Sequence, residues 1–454
     1  MNTLSKYKTL QEKYRNQKQI NHNKLAKELI KKENLITIND TKEIYAYNEK
    51  TNLYEYCEPE LNTIIQYCCD DKAKTYLVNE VKESIKRQTY IKRNEIAQNT
   101  DLIPLKNKIY NIKTEKILDY NPKTIFLTKH ETAWIDTQEN YKNPINTFLE
   151  EITEKKEDVT LLEELAGYCF YRKMPFQHFF ILVGTGANGK SVYLNIIRKM
   201  LGEENVSNIA LQDMNDKFLK IQFYNKNANI FGDLPKKAFD DVGIIKQLTG
   251  GDSICADVKF KGAINFYNYA KLISSCNEVP ETPDVSDGFF RRAIIINFPN
   301  SFDGKENRNL LEELTTEKNM SDFFKTSIKA FKQALERNNL VRQESIEQRK
   351  EKYVIYSNSA VSFCNFYLDY DPASELKVDY IYANYAKYCE IKKVPEKDPV
   401  NFFKSMYKFF GHKVWKSRQG SGQERFFVIK GVCEKDENIF KQFEGVQNEW
   451  MPAL

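Results

Sequence analysis

Histidine and paired cysteines, the usual ligands of a structural zinc, are scarce in this sequence. Only four histidines occur among 454 residues, scattered at positions 22, 130, 178 and 412. The nine cysteines include one adjacent pair, Cys68 and Cys69, but no Cys-x-x-Cys spacing. The odd cysteine count and the missing ligand spacing predict reduced thiols and no structural zinc.

Long apolar runs are missing as well, and neither charge dominates. No uninterrupted apolar stretch is long enough to cross a bilayer, and residues 1–19 lack the apolar centre of a signal peptide. The 68 basic and 63 acidic residues nearly cancel, which leaves a net charge of +5. We therefore expect a cytoplasmic protein of about two to four domains without a membrane partner, in which any nucleic-acid surface is local.

Glycine is scarce too, with 17 residues, yet three of them fall in one octet. Residues 184–191 read Gly-Thr-Gly-Ala-Asn-Gly-Lys-Ser and directly follow the apolar run 179–183. This is the spacing of a phosphate-binding loop, in which backbone amides surround phosphate oxygens, the lysine reaches the β- and γ-phosphates and the serine hydroxyl holds Mg²⁺. The octet predicts a nucleotide and Mg²⁺ site built from Gly184, Thr185, Gly186, Ala187, Asn188, Gly189, Lys190 and Ser191.

Two polar residues end apolar strands further along the chain. Asp233 closes the segment 229–233, at the place where nucleotidases put the acid that holds Mg²⁺ through water. Asn277 closes the segment 271–277 and can bind a γ-phosphate or the water that attacks it. We predict catalytic roles for both residues, and a metal role for Asp233 beside Ser191.

A pair of arginines, Arg291 and Arg292, precedes the next apolar strand. An arginine placed there can stabilise phosphoryl transfer across a subunit boundary, which predicts a ring of subunits. We favour Arg292 slightly, because it directly precedes the strand. A solvated strand flank is the alternative for both.

Lysines alternate with aromatic residues between the acid and the asparagine. Lys246 lies in the segment 244–252, and Lys259, Lys261 and Phe266 lie on a glycine-bounded turn. Such residues contact phosphates and stack on the bases of a single strand, so we interpret all four as DNA-binding. An exposed basic hairpin that is only soluble surface is the alternative.

The C-terminal part, residues 357–432, forms a smaller unit. It contains three helical segments and two strands around the basic turn that begins at Arg418. Three helices followed by a basic hairpin favour a winged helix, with Arg418 as a further DNA contact.

In order and spacing, these motifs resemble superfamily 3 helicases, specifically the helicase part of phage, plasmid and poxvirus primase-helicases. The resemblance extends over residues 20–435 and is carried by 184–191, by 245–252, by 271–277 with Pro280, and by Arg291-Arg292. It implies an AAA+ core in a hexameric ring that uses Mg²⁺ and ATP to move along single-stranded DNA, conventionally 3′ to 5′, at a viral or plasmid replication fork. In the family's pattern Lys190 and Ser191 match the phosphate loop, Asp233 the acidic strand end, Asn277 the sensor, and Lys259 and Lys261 the DNA hairpin.

The fold class expected on this basis is α/β, with an AAA+ P-loop ATPase core between an N-terminal α/β and helical module and a C-terminal winged helix. The expected segments are a flexible N-terminus at 1–20, an α/β module at 21–142, a helical lead-in at 143–178, the ATPase core at 179–315, a helical segment and linker at 316–356, the winged helix at 357–435 and a tail at 436–454.

Some roles stay open at this point. Many family members carry two acids or a glutamate where this chain has Gly232 and a lone Asp233, so Asp240 or Asp241 can also polarise the attacking water. The residues before the ATPase region are too few for a primase domain as well, so we expect a primase or polymerase as a separate partner or fused upstream. Two other functions compete: a DNA-binding initiator or scaffold with a weak ATPase, and a P-loop kinase, for which no lid or acceptor pocket is evident.

Overall fold

The computed structural model describes residues 4–96, 100–138, 141–239, 241–258, 262–305, 307–421 and 425–436. The chain divides into two compact units, Met1–Trp134 and Ile135–Leu454. The boundary falls shortly before the predicted end of the N-terminal module at 142. Within the described ranges, no helix is both long and apolar enough to cross a membrane.

The first unit combines helices with a four-stranded sheet of order β3-β2-β1-β4 and a three-stranded sheet of order β5-β6-β7. Its helices are α1 (Lys8–Arg15), α2 (His22–Glu33), α3 (Glu58–Cys69), α4 (Thr75–Thr89) and α5 (Arg93–Ile96). Its strands are β1 (Ile36–Ile38), β2 (Ile44–Asn48), β3 (Leu53–Tyr56), β4 (Tyr90–Ile91), β5 (Leu102–Pro104), β6 (Ile109–Asn111) and β7 (Ile117–Leu118).

The start of this unit corrects one expectation. Residues 1–20 are predicted to be flexible, yet α1 packs Leu10 and Tyr14 into the same core as Leu25 of α2. The apolar residues of α1 recur at helical spacing, so one face can be buried although the segment is polar on average. Asn21 then begins α2, where its side chain accepts a hydrogen bond of 3.0 Å from the Lys24 amide.

The second unit carries the phosphate loop. Its helices are α6 (Pro144–Ile152), α7 (Lys156–Phe170), α8 (Lys190–Leu201), α9 (Gly243–Gly250), α10 (Asp287–Phe290), α11 (Leu310–Leu314), α12 (Glu317–Arg337), α13 (Ile346–Ser357), α14 (Ser359–Tyr367), α15 (Val378–Lys392) and α16 (Pro399–Phe410). Its strands are β8 (Phe179–Val183), β9 (Val206–Ser207), β10 (Ala228–Phe231), β11 (Ser253–Val258), β12 (Gly262–Tyr267), β13 (Lys271–Cys276), β14 (Ala293–Asn297), β15 (Leu368–Lys377), β16 (Trp415–Gln419) and β17 (Phe426–Glu434).

Five parallel strands form the central sheet of this unit, in the order β14-β8-β13-β10-β9. Every residue of β8 and of β13 is buried, as expected for strands covered on both faces. In register, Ile181 of β8 lies between Ser274 of β13 and Ile295 of β14. Because the strands are parallel, their carboxyl ends meet at one edge of the sheet and their amino ends at the other.

The helical lead-in packs on the long helix that follows the sheet. Gly167 of α7 leaves no room for a side chain, because a Cβ there would lie 2.2 Å from the Ser327 carbonyl oxygen of α12. The Tyr168 and Phe331 rings stack beside this contact, with centroids 5.2 Å apart. The close approach of the two helices depends on glycine at position 167.

The C-terminal part contains three helices, α14 to α16, and an antiparallel sheet of order β15-β17-β16. The sequence predicts the helices and the last two strands but not β15. That strand contains Pro372 and an irregular register between Tyr370 and Glu375, features that occur on edge strands and bulges. Buried residues of this part continue the core of the parallel sheet, including Phe363, Tyr385 and Phe402.

Candidate functional site

The phosphate loop connects β8 to α8 and depends on its glycines. Gly189 has a φ of 86°, and a Cβ on it would lie 2.5 Å from the Ile152 side chain. A Cβ on Gly184 would lie 2.0 Å from Nδ2 of the Asn188 side chain. Helix α8 runs from Lys190 to Leu201 and ends at the glycine cap Gly202. The loop therefore places the amino end of a helix at the carboxyl edge of the sheet.

Lys190 is buried, and its ammonium is held by oxygens of the loop. It donates 2.7 Å to the Gly184 carbonyl and 3.0 Å to the Asn188 side chain. Burial lowers the pKa of Lys190, while the nearby Cys276 and Asp233 oppose that shift. A nucleotide phosphate would offer this lysine a charged acceptor in place of two neutral ones.

A cavity of about 650 Å³ opens beside the loop. Lys190, Ser191, Asp233 and Asn277 all line it, so the structure brings four predicted site residues together. Ser191, Asp233 and Asn277 are exposed to solvent there. A volume in this range suits a nucleotide-sized ligand.

The lining includes the hard oxygen ligands that Mg²⁺ prefers. The Ser191 hydroxyl and the Asp233 carboxylate would hold the ion together with phosphate oxygens and water, as is usual for Mg²⁺. Across the described ranges there is no group of three or more His, Cys, Asp or Glu side chains arranged to hold a metal ion. The Ser191 hydroxyl and the Asp233 carboxylate fit an Mg²⁺ that is bound together with a nucleotide.

The acid is fixed by the neighbouring strand. Asp233 follows β10 with a φ of 63°, and its amide donates 3.3 Å to the Ser275 hydroxyl of β13. The next amide, of Leu234, donates 2.7 Å to the Ser275 carbonyl. Left-handed backbone at a non-glycine residue is uncommon and is held here by these contacts.

Asp240 and Asp241 are the two alternative acids for polarising the attacking water. Asp241 lies two residues before α9, where its carboxylate accepts 2.7 Å from the Gly243 amide, and it does not line the cavity. Asp240 lies outside the described residues. Among the residues described as lining the cavity, the carboxylates are Glu151 and Asp233.

Sequence reasoning missed a further part of the cavity wall. Phe148 and Glu151 of α6 line the cavity, as do Phe302, Lys305 and Leu310 after β14. Helical periodicity predicts α6 but not which partner its apolar face meets, because any packed helix gives the same pattern. Phe148, Phe302 and Leu310 supply apolar side chains to the lining, beside the charged Glu151 and Lys305.

The two arginines lie at the other edge of the sheet. Both precede β14, whereas the phosphate loop follows the parallel strand β8. Five residues at roughly 3.3 Å each separate the two edges by about 16 Å. Arg291 donates 3.1 Å to the Gln177 side chain and Arg292 donates 2.5 Å to the Gly288 carbonyl. Neither arginine lines the cavity.

Of the basic residues predicted to contact DNA, the structure describes Lys246 and Arg418. Lys246 on α9 pairs with Asp284 at 2.5 Å and donates 3.0 Å to Ser286, so its charge is partly neutralised. Lys259 and Lys261 lie outside the described residues. Arg418 is exposed on β16, directly opposite the exposed Phe427 of β17.

The structure contradicts the predicted DNA-binding role of Phe266. Its ring is buried against Tyr224, with centroids 5.5 Å apart, so it is not available to stack on a base. Side chains alternate between the two faces of a strand, and the next residue, Tyr267, is 70% exposed. The sequence predicts an aromatic residue on this hairpin but not which face it occupies.

A glycine-rich loop, an acid and an asparagine gathered at the carboxyl edge of a parallel sheet form an arrangement typical of P-loop nucleotide-binding proteins. Comparison with known proteins makes the assignment more specific. The chain is 28% identical over 225 residues to "Putative helicase L207/L206" of Acanthamoeba polyphaga mimivirus, which covers 46% of this chain and 22% of that protein. It is 26% identical over 227 residues to "Putative helicase 121R" of Invertebrate iridescent virus 3, which covers 46% of this chain and 24% of that protein.

The predicted resemblance to viral helicases is thereby confirmed. The chain matches less than a quarter of the length of each of these two relatives. Residues 182–292 match a family described as of unknown function, DUF5906. A solved structure, the apo NrS-1 C terminal region (305–718), resembles the chain at a TM-score of 0.46 and 12% identity, covering 91% of this chain and 100% of that one.

Proposed function

We propose that this chain is the motor of a DNA helicase that hydrolyses ATP between the subunits of a ring. The observation that carries the proposal is the polarity of the sheet. Lys190, Asp233 and Asn277 gather at its carboxyl edge, while Arg291 and Arg292 lie at its amino edge. An arginine cannot extend about 16 Å to the cavity of its own subunit, but a neighbour in a ring can present it there.

In this mechanism, the loop amides and Lys190 bind the β- and γ-phosphates of ATP. Ser191 and Asp233 would hold Mg²⁺, which would neutralise charge on the phosphates when bound. Asn277 orients the attacking water or senses the γ-phosphate, and the neighbour's Arg292 stabilises the charge that develops in transfer. The strand order supports the AAA+ assignment, because β13 places Asn277 between the loop strand β8 and the acid strand β10.

We propose that the helicase binds and moves along DNA, both single-stranded and forked. The β11–β12 hairpin would carry the strand, with the exposed Tyr267 rather than Phe266 stacking on bases. We assign the C-terminal part as a winged helix, because its three helices and three-stranded sheet follow the order of that fold. Its wing would present Arg418 and Phe427, with the Lys416 ammonium 4.0 Å from the Phe427 ring.

The remaining details rest on the resemblance alone. They are six subunits, movement from 3′ to 5′, action in the cytoplasm of an infected host cell, and a primase or polymerase acting in trans or fused upstream. A replication scaffold with a vestigial ATPase is the competing function, favoured by the exposed basic and aromatic wing.

A single comparison separates the two functions. Lys190→Ala should reduce DNA-stimulated ATP hydrolysis and strand displacement to background, because the β- and γ-phosphates lose their only buried cation in the loop among the described residues. Lys199→Ala is the matched control, since Lys199 is exposed at the far end of the same helix α8. Both variants should melt at the wild-type temperature.

Two outcomes would overturn the proposal. Strand displacement by Lys190→Ala at the wild-type rate would show that the loop does not drive it. DNA-independent phosphotransfer from ATP to an acceptor by the wild-type protein would indicate a kinase instead.

A further inference from the structure

We propose that helix α13 links the nucleotide site of a subunit to the arginine that the same subunit presents to its neighbour, with Arg349 and Tyr353 as positioning residues. This inference rests on the proposed function, because it assumes that Arg291 or Arg292 acts across the subunit boundary. It assigns a role to a helix that the sequence presents only as a charged segment.

One end of the link is the segment that follows Asn277. The Val279 amide donates 3.0 Å to the Tyr356 carbonyl of α13. The Tyr353 hydroxyl, which is fully buried, donates 2.7 Å to the Pro280 carbonyl. A shift of Asn277 on binding or release of the γ-phosphate would therefore reach α13 within three residues.

The other end of the link is the backbone of the arginine pair. The buried Arg349 donates through Nη1 to the Arg291 carbonyl, and the same nitrogen lies 3.2 Å from Nε2 of His178. Burial, with Arg349 as the next contributor, lowers the pKa of His178 to about 3. The imidazole is therefore neutral at pH 7, and its Nε2 can accept the hydrogen bond.

The aromatic ring of Tyr353 joins the two ends. It packs edge-on against Phe289 and Phe290, with centroids 5.4 and 5.6 Å away, directly before Arg291. Arg349, Tyr353 and Tyr356 are spaced at i, i+4 and i+7, so they lie along one face of a helix over about 10 Å. A rigid helix with contacts at both ends transmits a displacement from one to the other.

Burial of the Arg349 guanidinium also costs stability, which argues against a merely structural role. Its Nε is buried and has no hydrogen-bond partner in the described part of the chain. Buried donors are usually satisfied, and an unsatisfied one costs stability. A role in placing the arginine pair explains why a guanidinium occupies the site.

Mixed rings test the direction of the effect. In a mixture of Asp233→Ala and Arg292→Ala subunits, each complete site takes its arginine from the Asp233→Ala subunit and its acid from the Arg292→Ala subunit. Adding Arg349→Gln to the arginine donor should reduce ATP hydrolysis about tenfold or more, since a misplacement of about 1 Å costs on the order of a hundredfold. The same substitution in the acid donor should leave the rate unchanged.

The conservative variant Tyr353→Phe keeps the ring contacts and removes only the hydroxyl, so it is the second test if Arg349→Gln does not fold. It too should lower kcat more from the arginine donor than from the acid donor, with ATP affinity unchanged. Glu351→Gln, on an exposed position of α13, is the control and should leave the rate of ATP hydrolysis unchanged from either subunit.

The outcomes separate this inference from the proposed function. If the parent mixture shows no hydrolysis although mixed rings form, the shared site itself fails. If the parent mixture is active but Arg349→Gln and Tyr353→Phe act equally from either subunit, or from neither, the shared site stands and the link through α13 is refuted.

Discussion

The sharpest prediction concerns a mixture of two inactive variants. Rings of Arg292→Ala alone lack the arginine at every site, and rings of Asp233→Ala alone lack the acid at every site. Each variant should fall at least about a hundredfold below wild type, in line with the loss of one transition-state donor. Mixed rings differ, because the arginine and the acid of one site come from different subunits if the two edges of the sheet face different neighbours.

The size of the recovery follows from counting interfaces. In an equal, random mixture, a site is complete when its loop comes from an Arg292→Ala subunit and its neighbour is an Asp233→Ala subunit. This happens at half of one half, or about a quarter, of the interfaces in a ring of head-to-tail contacts. We therefore expect up to about a quarter of the wild-type rate per subunit, well above either variant alone.

Phosphate release with excess single-stranded DNA measures the rate, and native mass spectrometry establishes that mixed rings form. Lys190→Ala mixed with Asp233→Ala is the matched control, because both changes fall on the loop side of the site and no interface is repaired. A rate in proven mixed rings that equals the sum of the two variants would refute the shared site.

Three further predictions follow from single residues. Tyr267→Ala should weaken binding of single-stranded DNA, read by fluorescence anisotropy, with no change in thermal stability, whereas Phe266→Ala should lower the free energy of unfolding by about 3 kcal/mol because it empties a buried site. The depressed pKa of His178 should make the protein less stable as pH falls below about 6.5, because this imidazole is protonated in the unfolded chain but stays neutral in the folded one. Denaturant titrations should show a loss of about 2 kcal/mol between pH 8 and pH 5 that is absent in His178→Gln. Gly189→Ala should weaken ATP binding, measured by calorimetry, because its Cβ would collide with Ile152 and its φ is positive; an unchanged affinity would contradict this close contact.

The sequence predicts the elements of the site well because each is a local pattern. A buried strand followed by Gly184–Ser191, and strands that end at Asp233 and Asn277, can be recognised without knowing their neighbours. Parallel strands then bring their carboxyl ends together, and the cavity follows.

What the sequence does not predict depends on distant partners. The order of the five strands is set by packing between segments that are as far apart in the chain as Phe179 and Ala293, so no local pattern reports that β13 lies between β8 and β10. The same reason hides the face of Phe266 and the contribution of Glu151. Strand β15 is missed for a local reason, since Pro372 and its polar neighbours resemble a turn.

The hydrophobic core that runs from β8 into α14, α15 and α16 bears on how such a chain can change over time. Phe363 and Phe402 belong to the same packed cluster as Ile181. Separating the C-terminal part from the parallel sheet would therefore expose apolar surface on both. Exchanging the C-terminal part for an unrelated one would leave part of this shared core unpacked. We therefore expect the motor and its C-terminal module to be inherited as one piece, and new specificities to arise on the exposed wing and hairpin rather than by swapping whole modules.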